Sequence, residues 1–262
     1  MRKRFFSILT ALALCLTLLP TAALADGTPI GTPLTQALLD TWLKNEDPYN
    51  PNSNKVYKMQ GGIYYLDEDV CLVGDNVGLI ISEENVTLDL NGHVLDLKEK
   101  FINIYSNASL TLKDSNTTAT HKFRVDSGLW VLDETNGTET VTGGIITGGS
   151  HTDTTLGYGG GVAVASGTFT MEGGSIVGCT AAYGGGVAIT KGTFTMEGGS
   201  IVGCTAANSG GGVCVGIEGG VIGDVTFNMN GGSIVGCKAN YGGGVYVGGA
   251  DSTSSSVTFT ME

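Results

Sequence analysis

Three short runs of alternating apolar and polar residues recur through the second half of the chain. They read SIVG, GVAI or GVYV, and TFTME, and glycine bounds each of them. Each run is too short for a helix, and in TFTM the apolar Phe169 alternates with Thr168 and Thr170. Alternation with a period of two, in β-branched and aromatic segments between glycines, predicts strands that bury one side and expose the other.

The runs belong to an internal repeat of about 25 residues that starts near residue 141. The block GGSIVGC begins at Gly173, Gly198 and Gly231, and the second interval is longer because about eight extra residues enlarge one loop over 217–224. A propeller blade needs about 40 residues, whereas identical side chains in successive coils of a solenoid stack at the strand spacing of about 4.8 Å. We therefore predict an all-β fold, a right-handed parallel β-helix with about 25 residues and three short strands per coil.

The repeat also predicts the interior of the solenoid. It places three ladders of identical side chains inside: Phe169, Phe194, Phe227 and Phe259; Met171, Met196, Met229 and Met261; and Ile176, Ile201 and Ile234. Glycine is expected at the corners between strands, where the backbone needs a positive φ or a close approach.

A column of cysteines is predicted as well, because Cys179, Cys204 and Cys237 occupy the same position in three successive coils. Neighbouring Cα atoms about 4.8 Å apart are compatible with a disulfide, but neighbours in register point their Cβ atoms in the same direction. We predict reduced thiols that act as small, largely buried side chains beside the corner glycines.

The chain before the repeats divides into three parts. A basic start, an apolar run and a small-residue site predict a secretory signal peptide over residues 1–25. Residues 26–58 contain apolar residues at helical spacing that predict a helix over 33–44, capped by Thr35, and then a polar linker. Residues 59–140 carry strand-like runs that we interpret as irregular first coils, and the helix would cover the open end of the first coil.

Residues 141–262 then form the regular glycine-rich coils. The chain stops at Glu262, where the repeat would continue with another GGSI. Terminal repeats normally differ from internal ones, so we expect a C-terminally truncated product or a fragment of a longer protein.

Charge narrows the range of partners. Without the predicted leader the chain has 10 basic and 25 acidic residues, a formal charge of −15. This composition argues against nucleic acid and anionic lipid as partners, because neither would find a basic patch. No apolar run after the leader approaches the roughly 20 residues of a transmembrane segment. We expect a secreted or wall-associated protein whose partners are host or microbial surface glycans or proteins.

Two segments resemble known β-helix families. One segment is similar to the glycine-rich repeats of bacterial adhesin-like β-helix proteins, and it reads GGGVAITKGTFTMEGGSIVGCTAANSGGG. The same segment is more distantly similar to the repeats of chlamydial polymorphic outer-membrane proteins. The opening coils of pectate-lyase-like β-helix proteins resemble GGIYYLDEDV and VTLDLNGHVLDL. The resemblance covers most of residues 33–262 and implies the fold, but no single activity, because this solenoid occurs in lyases, hydrolases, adhesins and structural proteins. In such repeats an asparagine commonly stands where this chain has its column of cysteines.

The chain has few residues that could form a catalytic site. A β-helix lyase would need calcium-binding acids and a basic residue, and a β-helix hydrolase would need paired carboxylates. After the leader the chain has one arginine, Arg124. The best acid and base candidates are Asp67, Glu68, Asp69, Asp89, Asp96 and His93. All of them are better interpreted as polar groups of turns and of the surface. We predict no catalytic residue and no cofactor. We also predict no metal site, because His121 and His151 lack the spacing of metal ligands.

The outward threonines make the most regular predicted surface. They are Thr168, Thr170, Thr193, Thr195, Thr226, Thr258 and Thr260, with Asn228 in the same array. At about 4.8 Å between coils and about 7 Å along a strand they predict a flat hydroxyl lattice, although threonine is also simply a good strand former.

We therefore predict a non-catalytic role in adhesion, glycan contact or scaffolding, with the threonines as candidate ligand contacts. Two alternatives stay open. One is a polysaccharide lyase or glycoside hydrolase of the pectate-lyase-like type. The other is a solenoid that binds ice or another crystal surface through the threonine ladder.

Overall fold

The computed structural model describes residues 29–44, 56–73, 78–152, 157–217, 223–248 and 255–262. The predicted signal peptide and the predicted polar linker after residue 44 lie outside these ranges. The described part of the chain is all-β, with 28 strands and one short helix. Most strands belong to three long sheets of mainly parallel strands, an arrangement consistent with the predicted β-solenoid.

Sheet 1 has eight strands that all pair in parallel with their neighbours. In chain order they are β1 (Thr32–Leu34), β4 (Gly62–Leu66), β7 (Val86–Asp89), β10 (Ala108–Lys113), β17 (Gly167–Met171), β21 (Gly192–Met196), β25 (Val225–Met229) and β28 (Val257–Met261). Each strand comes from a later coil than the one before it.

Sheet 2 also has eight strands, and only its first pair is antiparallel. They are β2 (Leu43–Lys44), β3 (Val56–Met59), β6 (Leu79–Ile81), β9 (Ile102–Ile104), β16 (Val162–Val164), β20 (Val187–Ile189), β24 (Val213–Val215) and β27 (Val245–Val247).

Sheets 3 and 4 complete the wall of the solenoid. Sheet 3 contains β5 (Val70–Cys71), β8 (Val94–Asp96), β14 (Ile145–Thr147), β18 (Ser175–Val177), β22 (Ser200–Val202) and β26 (Ser233–Val235). Sheet 4 contains β15 (Ser150–His151), β19 (Thr180–Tyr183) and β23 (Thr205–Ser209).

The chain visits the sheets in a fixed order. From β16 it passes to β17 in sheet 1, β18 in sheet 3 and β19 in sheet 4, and it returns to sheet 2 at β20, directly beside β16. Sheet 4 thus adds a fourth strand in three coils, whereas the coils that start at β3, β6 and β24 have three strands as predicted. Its segments TAAY and TAANS are rich in alanine, which is depleted in strands and gives a weak sequence signal.

The predicted ladders line the interior. Phe169, Phe194 and Phe227 are fully buried and stack with ring centroids 4.9 and 4.8 Å apart, and Phe259 follows at 5.0 Å. The methionines pair in register beside them in sheet 1, and the isoleucines pair in register in sheet 3. Exposure rises toward the last described coil, where Met261 is 70% exposed. The three ladders are confirmed.

The predicted corner glycines have the expected backbone conformation. Gly178, Gly203 and Gly236 immediately precede the three stacked cysteines and have φ values of 66°, 61° and 65°. A residue with a Cβ is strained at these angles, so the left-handed backbone explains why each coil has glycine at this corner.

A small antiparallel sheet, sheet 5, is inserted between β10 and β14. It consists of β11 (Thr120–Asp126), β12 (Leu129–Leu132) and β13 (Glu139–Thr142). Phe123 and Val141 of this sheet pack with Val94 and Ile145 of sheet 3. Trp130 lies so close to the glycine corner that a Cβ on Gly203 would overlap its ring. The repeat pattern contains no signal for this insertion.

The predicted N-terminal helix is present but shorter than predicted. Helix α1 spans Gln36–Thr41 rather than 33–44, because β1 and β2 flank it. Thr35 is its N-cap as predicted, and the Thr35 hydroxyl accepts a hydrogen bond from the backbone N–H of Leu38 at 3.3 Å. No helix within the described ranges has the length and apolar character needed to cross a membrane.

Candidate functional site: the outer face of sheet 1

The outward threonines share one face of sheet 1. In β17, β21, β25 and β28 each of them pairs in register with its counterpart in the next coil. The first row contains Thr168, Thr193, Thr226 and Thr258, and the second row contains Thr170, Thr195, Asn228 and Thr260. Because each strand alternates, the phenylalanines and methionines of the same strands point inward and the threonines point outward.

The array continues into coils that precede the regular repeats. Ser109 of β10 pairs with Thr168, and Thr111 pairs with Thr170 on one side and with Thr87 on the other. The second row therefore crosses six strands, from β7 to β28. The strand-like character of these upstream runs was recognised in the sequence, but their membership of this surface depends on the stacking of the coils.

The threonine hydroxyls of these rows are available to solvent or to a ligand, whereas the Ser109 hydroxyl accepts a hydrogen bond from the backbone N–H of Asn85 at 2.7 Å. Thr168, Thr258 and Thr260 are exposed, and the other members are half-buried between their neighbours in adjacent coils. Among the residues that the structure describes, no side-chain hydrogen bond engages these threonine hydroxyls. Since a hydroxyl provides one donor and two acceptor sites, the face offers a regular set of unused hydrogen-bonding groups.

Charged side chains border the threonine rows. Lys113 Nζ lies 2.9 Å from Glu172 Oε2, and Asn230 Nδ2 donates a hydrogen bond to Glu197 Oε1 at 3.0 Å. Half-exposed ion pairs of this kind contribute at most about 1 kcal/mol to stability. Lys113 offsets the charge of Glu172, whereas the partner of Glu197 is a neutral amide, so this group of side chains keeps a net negative charge.

Several of the candidate catalytic acids instead accept hydrogen bonds from backbone N–H groups. Asp89 is buried and accepts hydrogen bonds from two backbone N–H groups at 2.9 and 2.8 Å. Asp69 accepts one from the backbone of Val94 at 2.9 Å and lies 3.2 Å from Nδ1 of His93. Asp96 accepts from the backbone N–H of Lys98 at 2.9 Å and pairs with its ammonium at 2.6 Å.

The remaining candidates do not add to a common site. Glu68 accepts a hydrogen bond from the backbone N–H of Gln36 at 2.8 Å, and Asp67 is exposed. His121 lies in β11, where its Nδ1 is 2.9 Å from Glu134 and its Nε2 is 3.0 Å from a backbone carbonyl. Among the described residues, no group of three or more His, Cys, Asp or Glu side chains is arranged to hold a metal ion.

The cysteine column faces the interior. Cys179 and Cys204 are fully buried, Cys237 is half-buried, and the five cysteines in the described ranges are free. Burial raises the pKa of Cys204 well above its usual value, which keeps its thiol protonated. The column therefore acts as packing, as the repeat predicts, and lies away from the outer surface.

Sequence reasoning missed a column of tyrosines at the corner between sheets 4 and 2. Tyr158 pairs with Tyr183, Tyr183 pairs with Ser209, and Ser209 pairs with Tyr241. A signal was available, because each of these residues directly precedes a glycine triplet, as YGGG three times and as SGGG once.

Comparison of the chain with family models, with curated proteins and with solved structures gives no match.

Proposed function

We propose that this chain is a secreted or cell-surface β-helix protein without catalytic activity, which adheres to neutral glycans through the outer face of sheet 1. The observation that carries the proposal is the double row of threonine hydroxyls in β17, β21, β25 and β28, which repeats at the strand spacing of about 4.8 Å with one interruption at Asn228. These threonine hydroxyls have no internal hydrogen-bond partner in the described part of the chain. An extended polysaccharide also presents hydroxyls that donate and accept. A periodic row of threonines can therefore exchange hydrogen bonds with it at successive coils.

Charge supports a neutral ligand over an anionic one. The whole chain has 25 acidic and 13 basic residues, and Glu172 and Glu197 stand beside the threonine rows. A polyanionic glycan would meet like charge along this border. A neutral glycan would meet no such repulsion.

We further propose a right-handed solenoid of the adhesin-like or pectate-lyase-like kind, in which α1 covers the first coil. Crossovers between parallel strands of one sheet are right-handed in nearly all proteins. The capping role is supported by Leu39, which is buried in the core, and by Trp42, which packs edge-on against Tyr64 with ring centroids 5.1 Å apart. The proposal of secretion rests on the leader-like residues 1–25.

Co-sedimentation with insoluble polysaccharide tests the glycan contact. We expect the protein to sediment with cellulose or insoluble xylan, and the double variant Thr193→Val with Thr195→Val to bind about tenfold more weakly. Valine keeps the branched shape that suits the strand and removes only the hydroxyl.

The matched control is Thr140→Val with Thr142→Val, which changes two exposed threonines of β13 on the separate antiparallel sheet. This control should bind as the unchanged protein does. Failure of the protein to bind any neutral polysaccharide, or equal binding by the two double variants, would reject the threonine face as the contact.

A second candidate function is binding to ice or another crystal surface. One specific observation favours it: the first row has threonine in four successive coils without interruption. Thermal hysteresis of the protein solution measures binding to ice directly. Hysteresis that disappears in Thr193→Val with Thr226→Val would favour ice binding over glycan binding, whereas its absence in the unchanged protein would exclude ice binding.

A further inference from the structure

We propose that a slot between Tyr183 and Tyr241 binds one pyranose ring of a neutral glycan whose ring hydroxyls are equatorial. The slot lies at the corner between sheets 4 and 2 and is distinct from the threonine face. The inference rests on the proposed function for the class of ligand, and it adds a second contact for that ligand.

The slot exists because one ring is missing from a column. Tyr158, Tyr183, Ser209 and Tyr241 occupy the same position in four successive coils. In every coil the next residue is a glycine in the left-handed conformation, with φ between 59° and 70°. The four side chains therefore leave equivalent points of the backbone. Tyr158 and Tyr183 fill the first two levels, with ring centroids 5.7 Å apart, whereas the small Ser209 leaves the third level open.

The open level is a cavity of about 440 Å³, lined by Tyr183, Asn208, Ser209, Tyr241 and Tyr246. This volume falls within the range of about 300 to 1,000 Å³ that is typical of small-molecule sites. Tyr246 belongs to β27 and is in register with Cys214 of the preceding coil, so it adds a third ring beside the slot. Three aromatic rings with a few polar groups are the usual lining of a binding site.

The slot has room for one six-membered ring. Tyr183 and Tyr241 are two coils apart, which corresponds to a backbone separation of about 9.6 Å at a strand spacing of about 4.8 Å. The phenylalanine rings of sheet 1 stack at nearly the same interval, 4.8 to 5.0 Å per coil, so one ring fills one open coil. A saturated pyranose and an aromatic ring both have six members, and the chemistry of the walls decides between them.

The chemistry of the walls selects the configuration of the sugar. The faces of tyrosine rings are electronegative and attract the weakly positive C–H groups of a sugar. A pyranose with equatorial hydroxyls, such as glucose or xylose, presents C–H groups on both faces. Mannose has an axial hydroxyl, which would place an oxygen against one of the two rings.

Two polar side chains at the slot have unused hydrogen-bonding capacity. Ser209 is 6% exposed, and its hydroxyl makes no hydrogen bond to another described residue. The side-chain amide of Asn208 also has no partner within the described ranges. The equatorial hydroxyls at the edge of a bound ring would supply the donors and acceptors that these groups lack.

Saturation-transfer NMR with cellotetraose and mannotetraose tests the proposal. We expect saturation of the tyrosine protons to reach the ring C–H protons of cellotetraose but not those of mannotetraose. Tyr241→Ala should weaken cellotetraose binding about tenfold, and it should not affect folding because Tyr241 is 68% exposed. Ser209→Tyr, which completes the column, should also block binding. The matched control is Tyr158→Ala, which removes a ring of the same column outside the slot and should bind as the unchanged protein does.

The outcomes separate this site from the threonine face. Undiminished cellotetraose binding by Tyr241→Ala, equal binding of mannotetraose, or stronger binding of free tryptophan as a flat-ring probe would overturn the slot. If Thr193→Val with Thr195→Val abolishes cellotetraose binding and the slot variants do not, the slot fails while the proposed function stands. If the slot variants lose cellotetraose and the threonine variants still sediment with cellulose as the unchanged protein does, the slot stands and the threonine face fails.

Discussion

The rings of Phe194 and Phe227 lie face to face, with centroids 4.8 Å apart and only 5° between their planes. This separation matches the spacing of neighbouring strands, so the aromatic stack and the hydrogen bonds of sheet 1 have the same period. The match also favours a single register. A slip of one residue would move the phenylalanines outward and bury the threonines.

Removal of a central ring should therefore be costly. We expect Phe194→Ala to lower the free energy of unfolding by about 3 to 5 kcal/mol, because the ring is fully buried and leaves a cavity. Phe259→Ala is the matched control, since Phe259 is only partly buried in the last described coil and should cost less. Denaturant titration measures both values. Equal costs would show that the interior stack is not the source of this stability.

The contact between Trp130 and the glycine corner can be tested with two equivalent positions. Gly203 and Gly236 have nearly the same φ, and an alanine at either site carries a backbone cost of about 1 to 2 kcal/mol. A Cβ at Gly203 would also overlap Trp130, whereas the nearest atom to one at Gly236 is 4.0 Å away. We expect Gly203→Ala to be more destabilising than Gly236→Ala by about 1 to 3 kcal/mol.

A double-mutant cycle gives the control for this contact. In a Trp130→Ala background the two glycine substitutions should cost nearly the same, because the overlapping ring is gone. A difference that persists without Trp130 would assign the extra cost to the backbone of the coil.

The stability of the protein should depend on Cys214 at alkaline pH. Burial raises the pKa of Cys214 to about 12, whereas a cysteine in an unfolded chain has a pKa of about 8.5. The unfolded state therefore loses its proton first. The contribution of Cys214 is fully present below about pH 8.5 and is lost as the pH rises toward 12.

Cys214→Ala should make the loss of stability between about pH 9 and 11 less steep, as measured by thermal unfolding. Alanine fits the site, because Ala188 occupies the same register position in the preceding coil. Cys71→Ala, at a half-buried cysteine, is the control and should retain the original slope. If the unchanged protein and the two variants lose stability with the same slope between these pH values, Cys214 is not the cause of the loss.

The cysteine column should contain no disulfide. Thiol titration under denaturing, non-reducing conditions should count five free groups in the chain after the predicted leader, namely Cys71, Cys179, Cys204, Cys214 and Cys237. A count of three or one would show that a bridge has formed.

The acidic residues should affect stability and not catalysis. Incubation with pectin, polygalacturonate, alginate, hyaluronan or xylan should release neither unsaturated products nor new reducing ends. Asp89→Ala should lower the free energy of unfolding by about 1 to 3 kcal/mol, because two backbone N–H groups lose their acceptor. Asp67→Ala, at an exposed carboxylate, should change it by less than about 0.5 kcal/mol. Glycan turnover that disappears in Asp89→Ala or His93→Ala would contradict the non-catalytic interpretation.

The sequence by itself determined the ladders and the threonine rows. Strand alternation is a local property with a period of two, and the repeat of about 25 residues copies it from coil to coil. Once Phe169 is inside and Thr168 is outside, the same assignment holds for Phe194 and Thr193, because equivalent residues pair in register. Local propensity, periodicity and stacking all point to one arrangement.

Only the tertiary structure decided which residues meet at the corners between the sheets. The alanine-rich strands of sheet 4 have little strand propensity of their own and form because each coil pairs with the next. TAANS is one residue longer than TAAY, and the register shifts between Ala181 and Tyr183, which brings Ser209 into the tyrosine column. Trp130 reaches Gly203 through an insertion that the repeat does not encode. These contacts join residues from different coils, so they depend on how the coils stack and not on the residues that flank them in sequence.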